Sequence, residues 1–169
     1  MENKEATAST DFDTQTPNLN HLCKEQLARA GKTGDFDQEF INVIFQPKNE
    51  IIVNFPVKLD DGTVHIFKGY RIQHNNLLGP YKGGLRFHQD VRLDECKALA
   101  FWMSIKCSLQ NLPLGGAKGG IKFNPREFSD SDVQKIADRF GQSLYKYIGP
   151  HRDIPAPDVY TTPEIMAWM

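Results

Sequence analysis

Apolar residues recur along this chain with two periods, and the change between them divides it. From Pro17 to Ala30, Leu19, Leu22, Cys23 and Leu27 share one helical face, with Gly31 placed to stop the helix. A second helical stripe, Phe36, Phe40, Val43 and Ile44, starts at Asp35 or Phe36 and ends at Phe45, before Pro47. Alternation then takes over. Ile51, Val53, Phe55, Val57 and Leu59 alternate with mostly polar residues, Asp60-Asp61-Gly62 reads as a turn, and Val64, Ile66, Lys68, Tyr70 and Ile72 continue the period. This predicts a hairpin, with Pro56 placing its first strand at an edge or a bulge.

A Gly/Pro loop, Leu77–Gly84, and a short strand, Gly84–His88, follow. From Arg92 to about Gln110, Leu99, Phe101, Trp102, Met103, Ile105 and Leu109 cover most of a helix's circumference, which predicts a buried helix. Asp94 and Glu95 lie in its first turn, where the helix dipole favours anions. The glycine-rich stretch Gly115–Gly120 leads into a strand-like run, Ile121–Asn124. Ser129 and Asp132 mark a capping-box-like start for a helix with an apolar stripe of Val133, Ile136, Ala137, Phe140 and Leu144, closed by Gly149-Pro150. Asp153–Asp158 is stiffened by prolines, and Thr162-Pro163 reads as the N-cap and first residue of a last helix. Strands alternating with helices, one hairpin among them, predict an α/β layered domain with a mixed, mostly parallel sheet flanked by helices. That domain spans residues 17–169, after a polar, flexible tail at 1–16.

Composition narrows the function classes. The chain has 169 residues, 40% of them hydrophobic and 24% charged, enough for a domain with a real core. A net charge of −1 gives no electrostatic argument for nucleic acid or a membrane surface as a partner. No apolar run approaches a membrane span, and the polar N-terminus lacks a secretory h-region. Cys23, Cys96 and Cys107 are odd in number and form no C-x-x-C, which fits free thiols in a reducing cytoplasm. The histidines are scattered, so no metal site is expected.

Candidate chemistry centres on lysines. Lys118 sits among four glycines in Gly115–Gly120, which must adopt unusual conformations or approach something closely. It is either a solvated turn lysine or one that meets a small ligand. Lys82 lies in a second glycine cluster, GPYKGG, and is open to the same two readings. Lys106, on the apolar helix, either snorkels to the surface or faces a polar site. Together they suggest a cationic site in which one lysine acts as a base and the others bind carboxylates. Asp158, between Pro157 and Val159, is a turn aspartate or a proton shuttle. Neither glycine cluster has G-x-G-x-x-G spacing or the G-K-[ST] ending of a P-loop, so neither is a nucleotide fingerprint.

GPYKGGLRFHQDV, ECKALAFWMSIKCSLQNLPLGGAKGGIKFNP and DIPAPDVYTTPEIMAWM resemble the substrate-binding, dimerising half of glutamate dehydrogenases, within the Glu/Leu/Phe/Val amino-acid dehydrogenase family. The resemblance runs in order from about Leu19 to Met169. It implies that Lys118 activates the water or amine attacking the substrate α-carbon and that Asp158 takes part in proton transfer. It implies that Lys106 binds the α-carboxylate and Lys82 the side-chain carboxylate, with Gly83, Gly84 and Met103 in the same substrate-binding set. Met103 replaces a glutamine that grips the carboxylate in some bacterial members. Leucine-type members are apolar where Lys82 stands, so a cation there selects a dicarboxylate. The implied reaction is reversible deamination of L-glutamate to 2-oxoglutarate and ammonium with NAD or NADP, in a cytoplasmic hexamer. The dinucleotide is expected on a Rossmann-like domain beyond Met169, leaving these residues inactive alone. An assembly module, a leucine- or phenylalanine-type fragment and a Schiff-base enzyme are the rival readings.

Overall fold

The structure is a computed structural model, described over residues 18–169; the tail expected at 1–16 lies outside the described residues. In chain order the elements are α1 (Leu19–Thr33), α2 (Gln38–Phe45), β1 (Asn49–Lys58), β2 (Val64–Asn75), β3 (Tyr81–Phe87), α3 (Leu93–Leu109), β4 (Gly116–Ile121), a 3-10 turn (Pro125–Glu127), α4 (Asp130–Leu144), β5 (Asp153–Pro157) and α5 (Pro163–Trp168). The sheet order is β1-β2-β4-β3-β5. β2 runs antiparallel to both β1 and β4, while β3 runs parallel to β4 and β5. Four strands therefore share one direction and β2 alone opposes them, which is the mixed, mostly parallel sheet that the alternation predicts.

Three helical layers surround that sheet. On one face, Phe55, Phe67, Leu85, Phe87 and Ile121 pack against Ile136, Phe140 and Leu144 of α4 and Ile165 of α5. On the other, Tyr70 and Ile72 pack against Cys96 and Ala100 of α3. α1 covers the outer side of α3 through Cys23, Leu27, Ala98 and Phe101. Sandwiched between the sheet and α1, α3 is apolar almost all round, as its sequence requires.

Several local expectations change. α1 runs past Gly31 to Thr33; Gly31 is a close-approach site, where an added Cβ would lie 2.8 Å from Ile41 Cδ1. α2 starts later than its apolar stripe, because Asp37 caps it at Glu39 N–H (2.9 Å). Ser129 caps α4 as expected, but Asp132 accepts a bond from Asp60 N–H (2.8 Å) and so ties the hairpin turn to α4. α4 ends at Leu144, ahead of Gly149-Pro150. The glycine stretch is not a loop before a strand but the central strand β4 itself. The loop expected around Lys82 yields to β3 from Tyr81 onward. The proline-stiffened Asp153–Pro157 is a strand as well; it lies at the sheet edge, where Pro155 and Pro157 are tolerated. Pro56 is likewise on an edge strand, β1, as its missing N–H demands.

A buried ion pair joins the antiparallel and parallel halves. Arg71 of β2 and Asp153 of β5 are both fully buried. Arg71 Nε donates to Asp153 Oδ2 at 2.8 Å, and Nη2 pairs with Oδ1. Arg71 Nη1 also reaches the carbonyl of Gly83 at 3.2 Å, while Gln73 Nε2 donates to Asp153 Oδ2 at 2.9 Å. Removing one partner strands the other charge in the interior. We expect Asp153→Asn to cost about 3–5 kcal/mol in urea unfolding. Arg71→Met combined with Asp153→Leu, which removes both charges, should cost less than either single replacement.

Candidate active site

The candidate residues lie along the parallel strands, with Lys82 near the start of β3, Lys118 within β4 and Asp158 just after β5. Alternate residues of a strand share a face, so Lys82, Gly84 and Arg86 of β3 lie together. In β4 the same face carries Gly116, Lys118 and Gly120. It looks toward α3, since an added Cβ on Gly116 would overlap Ser104 of that helix. Lys118 is only 7% exposed, and its Nζ pairs with Oδ2 of Asp158, the residue after β5. Arg86 Nε lies 3.3 Å from the same oxygen, and Arg86 Nη1 bonds Glu95 of α3 at 2.6 Å. Lys118, Asp158, Arg86 and Glu95 thus form a chain of alternating charge across four elements.

Glycines allow the close packing here. A Cβ on Gly84 would sit 2.5 Å from Asp158 Oδ2, and one on Gly83 would overlap the Ala117 carbonyl oxygen. No side chain fits at either position while β3, β4 and Asp158 keep this spacing. Gly116 and Gly120 are close-approach positions too, not flexible hinges: neither has positive φ.

Lys82 is half-buried, and its Nζ donates to the Ile154 carbonyl at 3.4 Å. Burial, with the Arg71 charge adding to it, pushes the Lys82 amine below its ordinary value. Lys106 is exposed in the last turn of α3 and has no ion-pair partner among the described residues. Burial pushes the Cys107 thiol upward, opposed in part by the Lys82 and Lys106 charges. Met103, one turn earlier, is half-buried. The fold therefore pairs Lys118 with Asp158 and puts Lys82 on the same sheet face, while Lys106 stays exposed in the last turn of α3.

Asp158 is held by its turn. Thr161 Oγ1 accepts from Asp158 N–H and donates to the Leu85 carbonyl, both at 2.7 Å, and Val159 N–H donates to Asp158 Oδ1 at 2.9 Å. Burial raises the Asp158 pKa, but the Lys118 bond and charge, the Arg86 charge and the Val159 N–H outweigh it and hold the carboxyl below its usual value. Arg86 and Arg71 went unnoticed in the sequence reading. The signal was there for Arg86: extending strand alternation back from Gly84 puts Lys82 and Arg86 on one face.

Among the described residues, no cluster of His, Cys, Asp or Glu could hold a metal, and no helix is long and apolar enough to cross a membrane. The three cysteines are free and buried, with burial pushing Cys96 up to about 12. A groove of about 310 Å³ between α1 and α2, lined in part by Lys24, Leu27, Ile41 and Phe45, lies across α3 from the lysines and is no part of their site.

The α/β domain thus sets a buried lysine–aspartate pair, Lys118–Asp158, on the sheet face that also carries Lys82 and Arg86. The chain belongs to the Glu/Leu/Phe/Val dehydrogenase family, whose dimerisation-domain model matches residues 47–169. It is 47% identical over 150 residues to a glutamate dehydrogenase of Thermotoga maritima, covering 89% of this chain and 36% of that protein. It is 45% identical over 156 residues to the NAD-specific glutamate dehydrogenase A of Halobacterium salinarum, covering 92% of this chain and 36% of that protein. Among solved structures, the glutamate dehydrogenase of Peptoniphilus asaccharolyticus superposes with a TM-score of 0.87 at 41% identity, over 90% of this chain and 38% of its own. The leucine-bound hetero-hexameric glutamate dehydrogenase of Thermus thermophilus gives 0.86 at 36% identity, over 92% and 37%. The chain thus spans little more than a third of the length of these relatives.

The Asp158 shift has a definite pH sign. A carboxyl with a lowered folded-state pKa stabilises the fold above its unfolded value of about 3.9, and the contribution is lost as pH falls through the folded value. Lys118→Met removes the bond and the nearest charge, leaving burial opposed only by Arg86 and the Val159 N–H. The Asp158 titration, followed by carboxyl-carbon NMR, should therefore move upward in Lys118→Met.

Proposed function

We propose that this chain is the substrate-binding part of a glutamate dehydrogenase, which reversibly converts L-glutamate to 2-oxoglutarate and ammonium. The observation that carries this reading is the buried Lys118–Asp158 pair on the sheet face shared with Lys82. Lys82 and Lys106 offer one cation to each carboxylate of the substrate, with Gly83, Gly84 and Met103 around them. Lys118 activates the water or amine that meets the α-carbon. Asp158, bonded to Lys118 at rest, accepts and returns the proton. Each of these roles uses a group that this chain supplies, and the half-burial of Lys82 strengthens its interaction with a carboxylate.

The dinucleotide does not fit the residues described. The β4 glycines are extended strand followed by a 3-10 turn, not a strand-to-helix turn whose N–H groups cradle phosphates. NAD or NADP is therefore assigned to parts of the complete protein outside these residues, and no hydride step is derived from them. The relatives' names support the assignment, since several are called NAD-specific glutamate dehydrogenases.

Assembly follows from the sheet edge. Among the described residues β1 has an open edge, and Ile52, Val64 and Ile66 on the hairpin's outer face are 47%, 62% and 76% exposed. This unpaired edge is our candidate for pairing between subunits of a cytoplasmic homo-hexamer, and the Thermus relative is a hetero-hexamer.

Two measurements test the reading. Titration calorimetry of the chain with 2-oxoglutarate should show binding that falls by roughly tenfold or more in Lys82→Leu, the scale of one lost charge-assisted contact. Binding by Lys82→Leu equal to the wild type would overturn the choice of a dicarboxylate. The purified 169-residue chain should show no NAD(P)-dependent oxidation of glutamate, followed by nicotinamide absorbance.

A further inference from the structure

The turn that carries Asp158 contains a conformational outlier. Asp158, Val159, Tyr160 and Thr161 close a four-residue turn, with Thr161 N–H donating to the Asp158 carbonyl at 3.2 Å. Its third residue, Tyr160, has φ of +54°. Turns that need positive φ at that place ordinarily take Gly or Asn there. Asp35 and Asn111 also have positive φ, but those residue types adopt it readily. A bulky aromatic residue does not, and such a conformation persists only where the surroundings over-determine it.

The Tyr160 ring has partners on two sides. The His88 ring stacks on it at 5.6 Å between centroids and 10° between planes. The Arg126 guanidinium lies 4.9 Å from its centroid. His88 directly follows β3, and Arg126 belongs to the 3-10 turn after β4. The ring is therefore gripped from the ends of the two strands that carry Lys82 and Lys118. The turn is tied to β3 on the backbone as well, through Phe87 N–H to the Val159 carbonyl at 3.1 Å.

We propose that Tyr160, gripped by His88 and Arg126, is a positioning residue that keeps Asp158 against Lys118 and so sets the resting state of the proton-transfer pair. Tyr160 is 44% exposed, so filling the core is not its role. Its backbone is what turns the chain so that the Thr161 hydroxyl can accept from the Asp158 N–H. Stacking and the cation–π contact supply the free energy that an aromatic residue in left-handed backbone otherwise lacks. The proposal rests on the assignment of Lys118 and Asp158 as the reacting pair, but its geometry does not depend on which substrate they serve.

The experiment is competitive acetylation of the folded chain, read residue by residue by peptide mass spectrometry. Lys118 is compared with Lys32, an exposed lysine in the last turn of α1. Acetylation needs a free amine that the reagent can reach, and Lys118 is buried while paired, so its rate rises as the pair opens. Tyr160→Asn keeps a residue suited to positive φ and removes the ring. Arg126→Met removes one side of the grip without touching the turn. Both should raise the Lys118 rate, by roughly tenfold for Tyr160→Asn if the closed state loses its dominance, with the Lys32 rate unchanged. Tyr160→Phe keeps the ring and should restore the wild-type rate. A wild-type Lys118 rate in both Tyr160→Asn and Arg126→Met would overturn the proposal, as would a raised rate in Tyr160→Phe. A wild-type chain that fails to bind 2-oxoglutarate while the acetylation pattern holds would remove the substrate assignment and leave the positioning role standing.

Discussion

The Arg71–Asp153 ion pair is the constraint on which the arrangement of the site depends. Two charges fully removed from water are costly, and only good geometry with further hydrogen bonds offsets that cost. Arg71 meets the requirement by using its fork on Asp153 and its remaining nitrogen on the Gly83 carbonyl. Gln73 adds a third donor to the same carboxylate. The reason for so much polar investment lies in β5. Two of its five residues are prolines and cannot donate to the ladder with β3. An edge strand with so few donors is weakly held by its backbone alone. Arg71 and Gln73 reach beneath β4 and β3 to fasten its first residue, and Asp158 begins where the strand ends.

Glycine in β4 reflects a steric constraint rather than flexibility. In a central strand glycine is ordinarily unfavourable, because it adds chain entropy and packs nothing. Here α3 lies so close to the sheet that a Cβ at Gly116 would overlap Ser104, and neighbouring backbone fills the space beside Gly119 and Gly120. The close approach seals one face of the site and leaves Lys118 as the side chain that β4 sends into it. Buried between strands and helix, an ammonium needs a counter-charge, and Asp158 supplies it. The sealing of this face and the pairing of Lys118 are thus two consequences of one packing distance.

Much of this was legible in the sequence, for reasons that differ by element. The hairpin, the all-round apolar α3 and the α4 stripe follow from period alone, because each buries a face or a circumference with a characteristic repeat. The Thr162-Pro163 helix start was legible because Thr162 accepts from Ile165 N–H and proline suits the first turn. The glycine strand was not legible. GAKGGI has neither alternation nor β-branched residues before Ile121, and its strand state comes from partners on both sides. Pro155 and Pro157 hid β5 in the same way, since proline argues against a strand unless the sheet edge is known. Arg71 was invisible because an arginine at an interior strand position reads as a solvated residue until its partner, 82 positions later, is placed beside it.

The three lysines differ in how they are held, and the difference bears on what each can do. Lys118 is buried and paired, so its charge is already satisfied within the chain and a ligand reaches it only by competing with Asp158. Lys82 is half-buried and bonded only to the neutral Ile154 carbonyl; burial and Arg71 disfavour its charge, so an arriving carboxylate relieves an existing electrostatic deficit. Lys106 stands exposed at the C-terminal end of α3, where the helix dipole complements a cation and the side chain can swing to meet a ligand. Of the three, Lys118 is therefore the least accessible, Lys82 the one whose charge its surroundings satisfy least, and Lys106 the most exposed. Under the proposed function, this graded burial leaves the lysine assigned to the reaction less available than the two assigned to carboxylates.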